Sequence, residues 1–385
     1  MPDENVLDDV TETPGNHSTV AGFDRGRVLR ALPQLVVVVV LAVLPWCDIS
    51  TGGILPANLS SPGSLHLLGL CLVFAALALS YDLLFGFTGL LSFGHALFFA
   101  AGAYLAEIAM AQFGVSLWAA AVIAVIAGLL LAVLVGAVSL RVGGIAFAMV
   151  TLAFAQAGSI IVNQDPGGLT GGELGKSLTF DKVPDALLGV VNTRHVYWVA
   201  LLLLVVVYLL VTFATRSAPG RIWQAIRENE RRVEVLGLSP YPFKLLVFVV
   251  GSVLATACGV VYLLLVGSAN PSIITPDFTL SLLVMVVLGG SGNRWGAVIG
   301  GFLYSYLDQR LPAFAASDAI QSLPTVLRVP LSQPLFILGT LFVLVILFLP
   351  GGIVGTLQRA RAGGDSRSLL RAALTERQPG REEKQ

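Results

Sequence analysis

Residues 215–244 read TRSAPGRIWQAIRENERRVEVLGLSPYPFK, a charged island between two strongly apolar runs. Arg221, Arg227, Arg231 and Arg232 interleave with Glu228, Glu230 and Glu234, and Gly237 and then Pro240 end the run. Nowhere else inside the apolar body are charges packed so densely. Charges are costly inside a bilayer and cheap in water, so this segment reads as a loop held outside the membrane between two spans. Its length and charge suit a surface that something soluble holds.

The composition agrees with that reading. Of 385 residues, 56% are hydrophobic and 12% are charged, with a mean hydropathy of +0.84. A soluble domain carries about 25% charged residues, so the chain is expected to be an all-α polytopic membrane protein embedded in a lipid bilayer. The net charge of zero gives no sign of a nucleic-acid partner. Cys47, Cys71 and Cys258 lie in or beside apolar runs without the short, regular spacing of metal ligands or disulfide frameworks, and read as packed membrane cysteines. The four histidines are scattered, so no metal site can be assembled from them. No nucleophile–base constellation emerges, and the chain is expected not to be an enzyme and to hold no cofactor.

Residues 1–30 are polar and acidic at first and then basic (Arg25, Arg27, Arg30), and read as a disordered cytoplasmic tail. The apolar run that follows lacks a small-residue cleavage site, so it reads as an uncleaved first span rather than a signal peptide. Spans are expected at roughly 31–48, 65–85, 93–111, 117–138, 143–163, 195–214, 244–266, 278–290, 296–311 and 333–350, making a transmembrane domain over 31–350 and a cytoplasmic tail over 351–385. About 20 helical residues cross a hydrocarbon core of ~30 Å, so the eighth span is too short alone.

Charge placement orients the chain. With the N-terminus inside, the N-tail, the four loops 86–92, 139–142, 215–243 (with Lys244 at its edge) and 291–295, and the C-tail hold 18 of the 23 Lys and Arg residues. Only Lys176, Lys182, Arg194, Arg310 and Arg328 fall outside. The positive-inside rule therefore places both termini and the 216–244 segment in the cytoplasm. The basic stretch from Arg359 to Lys384 reads as a solvated tail against anionic lipid.

Spans two to five and seven to ten would then be inverted relative to each other. Each group has a break after its first span, at Gly86–Gly94 and at Gly267–Pro276, the pattern of an inverted four-helix repeat with broken helices. Glycine is also simply common in membrane helices, which is the plainer alternative. Within the first break, Gly86, Gly89 and Gly94 allow the helix to open, while Thr88, Ser92 and His95 can supply the polar partners or line a passage. Gly86, Gly94 and Gly102 also suit one close-packing helix face, and His95 is expected to make a structural hydrogen bond. Asp82 and Glu107 fall near opposite ends of their spans, where interfacial solvation accounts for them. The stretch GGLTGGELGKS in the 164–194 loop fails as a phosphate-binding loop, because position 170 is Thr170 where that motif needs glycine.

Several segments together resemble a known family. They are Gly86-Phe-Thr-Gly-Leu-Leu-Ser-Phe-Gly-His-Ala-Leu-Phe-Phe-Ala-Ala-Gly-Ala-Tyr104, Arg141-Val-Gly-Gly-Ile-Ala-Phe-Ala-Met-Val-Thr-Leu-Ala-Phe-Ala-Gln156, Thr170-Gly-Gly172, Ala225-Ile-Arg-Glu-Asn-Glu-Arg-Arg232 with Leu236-Gly237, and Val287-Leu-Gly-Gly-Ser-Gly292 with Trp295-Gly296. In this order, over residues 65–350, they resemble the permease subunits of branched-chain amino acid ABC importers, and within that family the M-type subunit. Two departures stand out: Asp82 replaces a residue that is often neutral and polar, and Thr170-Gly-Gly172 continues Glu-Leu-Gly. Related systems with similar permeases carry urea or short amides, so that substrate class stays open beside the apolar amino acids. Hydropathy alone also leaves open an ion-coupled secondary carrier or a channel-like facilitator.

The resemblance implies a multi-pass subunit of a prokaryotic plasma (inner) membrane that translocates its substrate by alternating access. It implies a second, homologous permease subunit, two cytoplasmic ATP-binding subunits that use the ATP, and an extracytoplasmic solute-binding protein. It also implies that Ala225–Gly237 contains a coupling helix seated on an ATPase subunit, with Arg221, Ala225, Glu228, Asn229, Glu230, Arg232 and Gly237 as the coupling residues. On the residues themselves, Arg221, Glu228 and Arg232 recur at helical spacing and face outward, while Ile222, Ile226 and Val233 face the other way. The translocation pathway or hinge is expected at Gly86, Thr88, Gly89, Ser92, Gly94, His95, Thr151 and Gln156.

Overall fold

The computed structural model describes residues 36–47, 58–189, 192–317, 325–349 and 351–356. The tail over 1–30 with its arginine cluster, the opening of the first predicted span, and the basic stretch Arg359–Lys384 lie outside the described residues. The chain divides into two units, Met1–Leu41 and Ala42–Gln385. Of the first unit, residues 36–41 are described and are helical.

Among the described residues the protein is built of α-helices. They are α1 (Val36–Trp46), α2 (Pro62–Thr88), α3 (His95–Phe113), α4 (Leu117–Ser139), α5 (Gly144–Gln164), α6 (Thr193–Arg216), α7 (Ala218–Val235), α8 (Pro240–Val266), α9 (Pro276–Gly289), α10 (Arg294–Ala315), α11 (Thr325–Leu331) and α12 (Pro334–Phe348). A helix lies at each of the ten expected spans. Among the described residues seven segments are long and apolar enough to cross a membrane: α2, α3, α4, α5, α6, α8 and the segment Pro334–Thr356 that α12 opens. α1 and α9 are shorter. With its 14 residues, α9 rises only about 21 Å at 1.5 Å per residue. α10 is long enough but carries Arg294, Asp308 and Arg310.

The sequence sets these boundaries through its caps. Ser61 caps α2, its hydroxyl accepting from the Ser64 N–H at 3.4 Å, and Pro62 occupies the first turn, where a missing N–H costs nothing. At the other end Gly89 adopts a left-handed conformation, φ +76°, which only glycine takes at little cost. α8 repeats the design over the same 27 residues: Ser239 at its N-cap position, Pro240 in its first turn and a left-handed Gly267, φ +73°.

α2 is the axis of the bundle. It packs on α6, α8, α9 and α10, and 94% of its most apolar window is buried, against 28% for α4 and 33% for α5. The outer helices show large apolar side chains, including Trp118, Leu130 and Leu134 on α4, Ile145 and Met149 on α5, and Leu209 and Phe213 on α6. Such a surface is stable only against acyl chains or another apolar partner, and the protein is membrane-embedded.

The glycines at 86, 94 and 102 do not form one packing face, the alternative to a hinge that their spacing left open. A methyl group at Gly102 would strike the Thr256 carbonyl of α8, one at Gly94 would lie 3.0 Å from the Thr151 carbonyl of α5, and one at Gly86 would strike Asp82 and the Gly292 N–H. Each admits a different neighbour, because the chain leaves the helix between α2 and α3 and changes direction. Gly259 makes the reciprocal contact on α8, against the Phe99 carbonyl, so α3 and α8 meet backbone to backbone.

Residues 351–356, assigned to the tail by sequence, pack on the bundle. Gly352 lies against Gly290 in the turn between α9 and α10.

Candidate functional site

The break between α2 and α3 is the irregular backbone that a membrane protein must satisfy internally. The Phe93 N–H donates to Thr151 Oγ1 of α5 at 3.1 Å, and the Phe93 carbonyl accepts from Thr279 Oγ1 of α9 at 3.1 Å. Gly94 N–H donates to Ser92 Oγ at 3.2 Å. One residue, Phe93, is thus pinned through both of its backbone groups between two helices that the sequence places far away. Thr88, Ser92, Gly94, His95 and Thr151 are buried around this break, together with Gly86, whereas Gly89 and Gln156 are exposed. His95 Nε2 lies 2.9 Å from Ser80 Oγ, and its ring meets Tyr81 edge-on at 5.2 Å. Thr88 is turned back on its own helix, donating to the Leu83 carbonyl. The break therefore gathers Ser92, Gly94 and Thr151 with Thr279, a residue the sequence did not single out.

The charged island folds as α7, which starts at Ala218, seven residues before the predicted coupling segment. Ser217 caps it, accepting from the Gly220 N–H at 3.3 Å, and Pro219 lies in the first turn. The helix is not continuous. Asn229 leaves helical geometry (φ −163°, ψ 102°), and its side chain accepts from the Arg232 N–H at 3.1 Å. Asparagine in extended geometry with its oxygen on the third following N–H is an N-cap, so a second short arm begins there. Arg221 and Glu228 share one arm, and Arg232 belongs to the next, so their common exposure is not one helical stripe.

Trp223, Ile226 and Val233 are buried at 1%, 5% and 3% exposure and anchor α7 to the bundle, while Ile222 is only half-buried. Trp223 Nε1 donates to the Phe243 carbonyl at 2.9 Å, and Lys244 pairs with Glu230. Arg221, Ala225, Glu228, Asn229, Arg232 and Gly237 are exposed. Val235 and Leu236 are 84% and 79% exposed, and with Asn229, Arg231 and Arg232 they line an open groove of about 470 Å³. Gly237 (φ +82°) turns the chain toward α8.

Interfacial solvation does not account for the two carboxylates. Asp82 and Glu107 are both 0% exposed, and each is held by a backbone N–H from a distant loop. Asp82 Oδ1 accepts from Gly292 at 2.8 Å, and Asp82 Oδ2 has no hydrogen-bond partner among the described residues. Arg227, absent from the predicted coupling residues, donates from Nη1 to the Gly86 carbonyl. Glu107 accepts from the Thr179 N–H at 3.1 Å and the Thr179 hydroxyl at 2.7 Å, fastening the loop that follows α5. That loop also adds β1 (Lys176–Ser177), which pairs antiparallel with β2 (Ser268–Ala269) at the second break.

The GGLTGGELGKS stretch wraps around Asp165. Its Oδ1 accepts from the N–H groups of Thr170 (2.7 Å) and Gly171 (3.0 Å) and from the Thr170 hydroxyl (3.0 Å). The Thr170 N–H, followed by these other donors and nearby Lys176, holds the Asp165 carboxyl below the ordinary carboxylate range. Two N–H groups that a phosphate would need are thereby occupied. Among the described residues, no cluster of His, Cys, Asp and Glu could hold a metal ion.

Comparison with known proteins agrees with this architecture. Over residues 64–349 the chain matches the family model of the branched-chain amino acid transport system / permease component. It is 28% identical over 265 residues to the high-affinity branched-chain amino acid transport system permease protein LivM of Escherichia coli (strain K12), covering 63% of this chain and 62% of that one. It is 25% identical over 308 residues to the permease protein BraD of Pseudomonas aeruginosa, covering 73% of this chain and 91% of that one. The alignment thus spans about 62% of the length of the Escherichia coli relative. No solved structure matches the chain. The matched region takes in the break at Phe93, the whole of α7 and the buried Asp82, and the chain belongs to the branched-chain amino acid transport permease family.

Proposed function

We propose that the chain is the membrane-spanning permease subunit of an ATP-binding-cassette importer, translocating branched-chain or other apolar amino acids by alternating access. The observation that carries this reading is α7. It is fixed to the bundle through Trp223, Ile226 and Val233, while its charged side and the Val235–Leu236 groove stay open. A lipid surface favours a basic helix, but here acids and bases nearly balance, which suits a protein partner. In this reading the partner is one of two cytoplasmic ATPase subunits, and a second permease and an extracytoplasmic binding protein complete the assembly. Both termini lie in the cytoplasm by the distribution of Lys and Arg. The substrate class rests on the printed function of the relatives.

The pathway runs beside the Phe93 peptide, where Thr151 and Thr279 hold a broken helix. α2 and α8 share their length, a Ser-Pro start and a left-handed end, and α2 packs on α9 and α10 as α8 packs on α3 and α4. These correspondences support an inverted four-helix repeat about that break. An ion-coupled carrier would need a carboxylate free to bind its ion, and Glu107 is not one, with both oxygens held by Thr179.

The test is reconstitution with the ATPase subunits, the second permease and the binding protein. Glu228→Ala and Arg232→Ala are expected to lower uptake per ATP hydrolysed while the chain still inserts. Uptake driven by an ion gradient without any ATPase subunit would overturn the reading.

A further inference from the structure

Arg227 sits where three parts of the molecule converge. It lies in the first arm of α7, two residues before the Asn229 break. Its guanidinium donates to the Gly86 carbonyl at the end of α2. The left-handed turn explains why that carbonyl is open: Leu90 N–H bonds back to Leu84 at 2.9 Å, passing over Gly86. Helix ends carry such unpaired carbonyls and partial negative charge, and a cation suits both.

The fit is close where the exposed Arg227 meets two glycines. A methyl group at Gly89 would lie 3.3 Å from Arg227 Cγ, and one at Gly292 would lie 2.6 Å from Arg227 Nη1 and 3.0 Å from the Gly86 carbonyl. Gly292 belongs to the turn between α9 and α10, and its N–H is the group that Asp82 holds. Asp82 in turn is buried within electrostatic reach of Arg227. The same turn abuts the chain after α12, where a methyl at Gly290 would stand 2.6 Å from the Gly351 carbonyl. One arginine thus ties α7 to the end of α2 and, through Gly292 and Asp82, to the turn that joins α9 and α10.

We propose that Arg227 and Asp82 are a pair of positioning residues that pass movement of α7 to the turn between α9 and α10. α9 carries Thr279, whose hydroxyl holds the Phe93 carbonyl, so a displacement of this turn reaches the broken helix along a single short helix. Packed helix ends held by specific bonds switch between discrete arrangements and do not deform smoothly, which lets a small shift of α7 be felt at the break. Arg227 does not contact the ATPase in this scheme, and Asp82 does not contact substrate. Both act through the groups that they hold.

The proposal rests on the importer reading, and the experiment separates the two. The complete complex is reconstituted in vesicles with radiolabelled leucine, and uptake, ATP hydrolysis and the amount of co-purified ATPase subunit are measured together. Arg227→Gln and Asp82→Asn are expected to cut uptake per ATP hydrolysed roughly tenfold, within the range of coupling between distant sites, while the ATPase subunits still co-purify in the wild-type ratio. Arg227→Lys keeps the charge but not the fork, and should recover part of the ratio. If Arg227→Gln reduces the amount of inserted chain, Arg227→Lys decides the matter by the same ratio. An unchanged ratio in both Arg227 variants and in Asp82→Asn, with a transporting wild-type complex, overturns the proposal alone. A wild-type complex that shows no ATP-dependent uptake overturns the importer reading and the proposal with it.

Discussion

Two buried carboxylates mark opposite ends of the bundle, and they are held in different ways. Ser80 meets His95, and Phe74 meets Phe99, so α2 and α3 run antiparallel, and Asp82 lies near one end while Glu107 lies near the other. Glu107 has both oxygens engaged by a single residue, Thr179. Asp82 has one oxygen on Gly292, one with no hydrogen-bond partner among the described residues, and an arginine charge within reach. A satisfied buried group stabilises one arrangement, whereas a half-satisfied one is a cost that persists where the arrangement changes. The Glu107 end therefore reads as a peg that fixes a loop, and the Asp82 end as a joint.

The comparison can be broken most severely at Gly86. Its missing side chain leaves room for both Asp82 and the Gly292 N–H, so Gly86→Ala wedges the joint open. We expect a loss of about 3 kcal/mol, from overpacking together with the broken hydrogen bond, seen as a lower midpoint in thermal unfolding in detergent. Gly143→Ala, with nothing near the added methyl, should leave the midpoint within error and serves as the control.

At the other end, Glu107→Ala leaves the Thr179 N–H and hydroxyl without their acceptor. About 2 kcal/mol of stability should be lost, and limited proteolysis should cut faster within the 166–188 loop. Equal cutting in variant and wild type would show that the peg does not hold the loop.

Asp82→Asn sharpens the contrast. The amide oxygen can still accept from Gly292, and the loss of a buried, half-paired charge offsets part of any cost, so stability should change by under about 1 kcal/mol. Glu107→Gln should cost about 1 kcal/mol, because an amide nitrogen cannot accept the second bond. If Asp82→Asn proves the more destabilising of the two, the division into joint and peg fails.

The smallest effect is expected from Asp165. Its carboxyl is depressed by the Thr170 and Gly171 N–H groups, so its support for the loop is present above the ordinary value of 3.8 and is lost only as pH falls through the lower folded value. Protection of the Thr170 and Gly171 amides from hydrogen exchange should hold down to about pH 4 and decline below it, and Asp165→Asn should abolish that pH dependence.

Much of this was legible in the residues. Apolar run length placed a helix at all ten expected segments, because a membrane helix must bury its own backbone whatever its neighbours do. The exposure of Glu228 and Arg232 was also legible, since charge seeks water. Asn229 carried a readable signal that was passed over: asparagine followed by Glu-Arg-Arg is a good N-cap with an acid in the first turn, and it splits the helix that spacing alone made continuous. On the anchoring face Ile226 and Val233 are buried as expected, while Trp223 is buried where Ile222 was expected.

Arg227, Thr279 and the burial of Asp82 were not legible. Arg227 looks like its neighbours in sequence, and what distinguishes it is a carbonyl 141 residues away. Thr279 is one threonine among many until α9 brings it to Phe93, 186 residues distant. Asp82, about one turn from the end of its expected span, was expected to reach water, but α2 is enclosed by its neighbours there.

The sequence by itself determined that the chain is a helical membrane protein, where its helices begin and end, and which segment stays polar. These follow from local terms: transfer of side chains to lipid, capping of helix ends and the freedom of glycine. Only the tertiary structure decided which buried polar groups face each other, and so which arginine and which carboxylate form the joint. A hydrogen bond between residues far apart in the chain depends on helix packing, where glycines let backbones touch, and no local pattern encodes the partner.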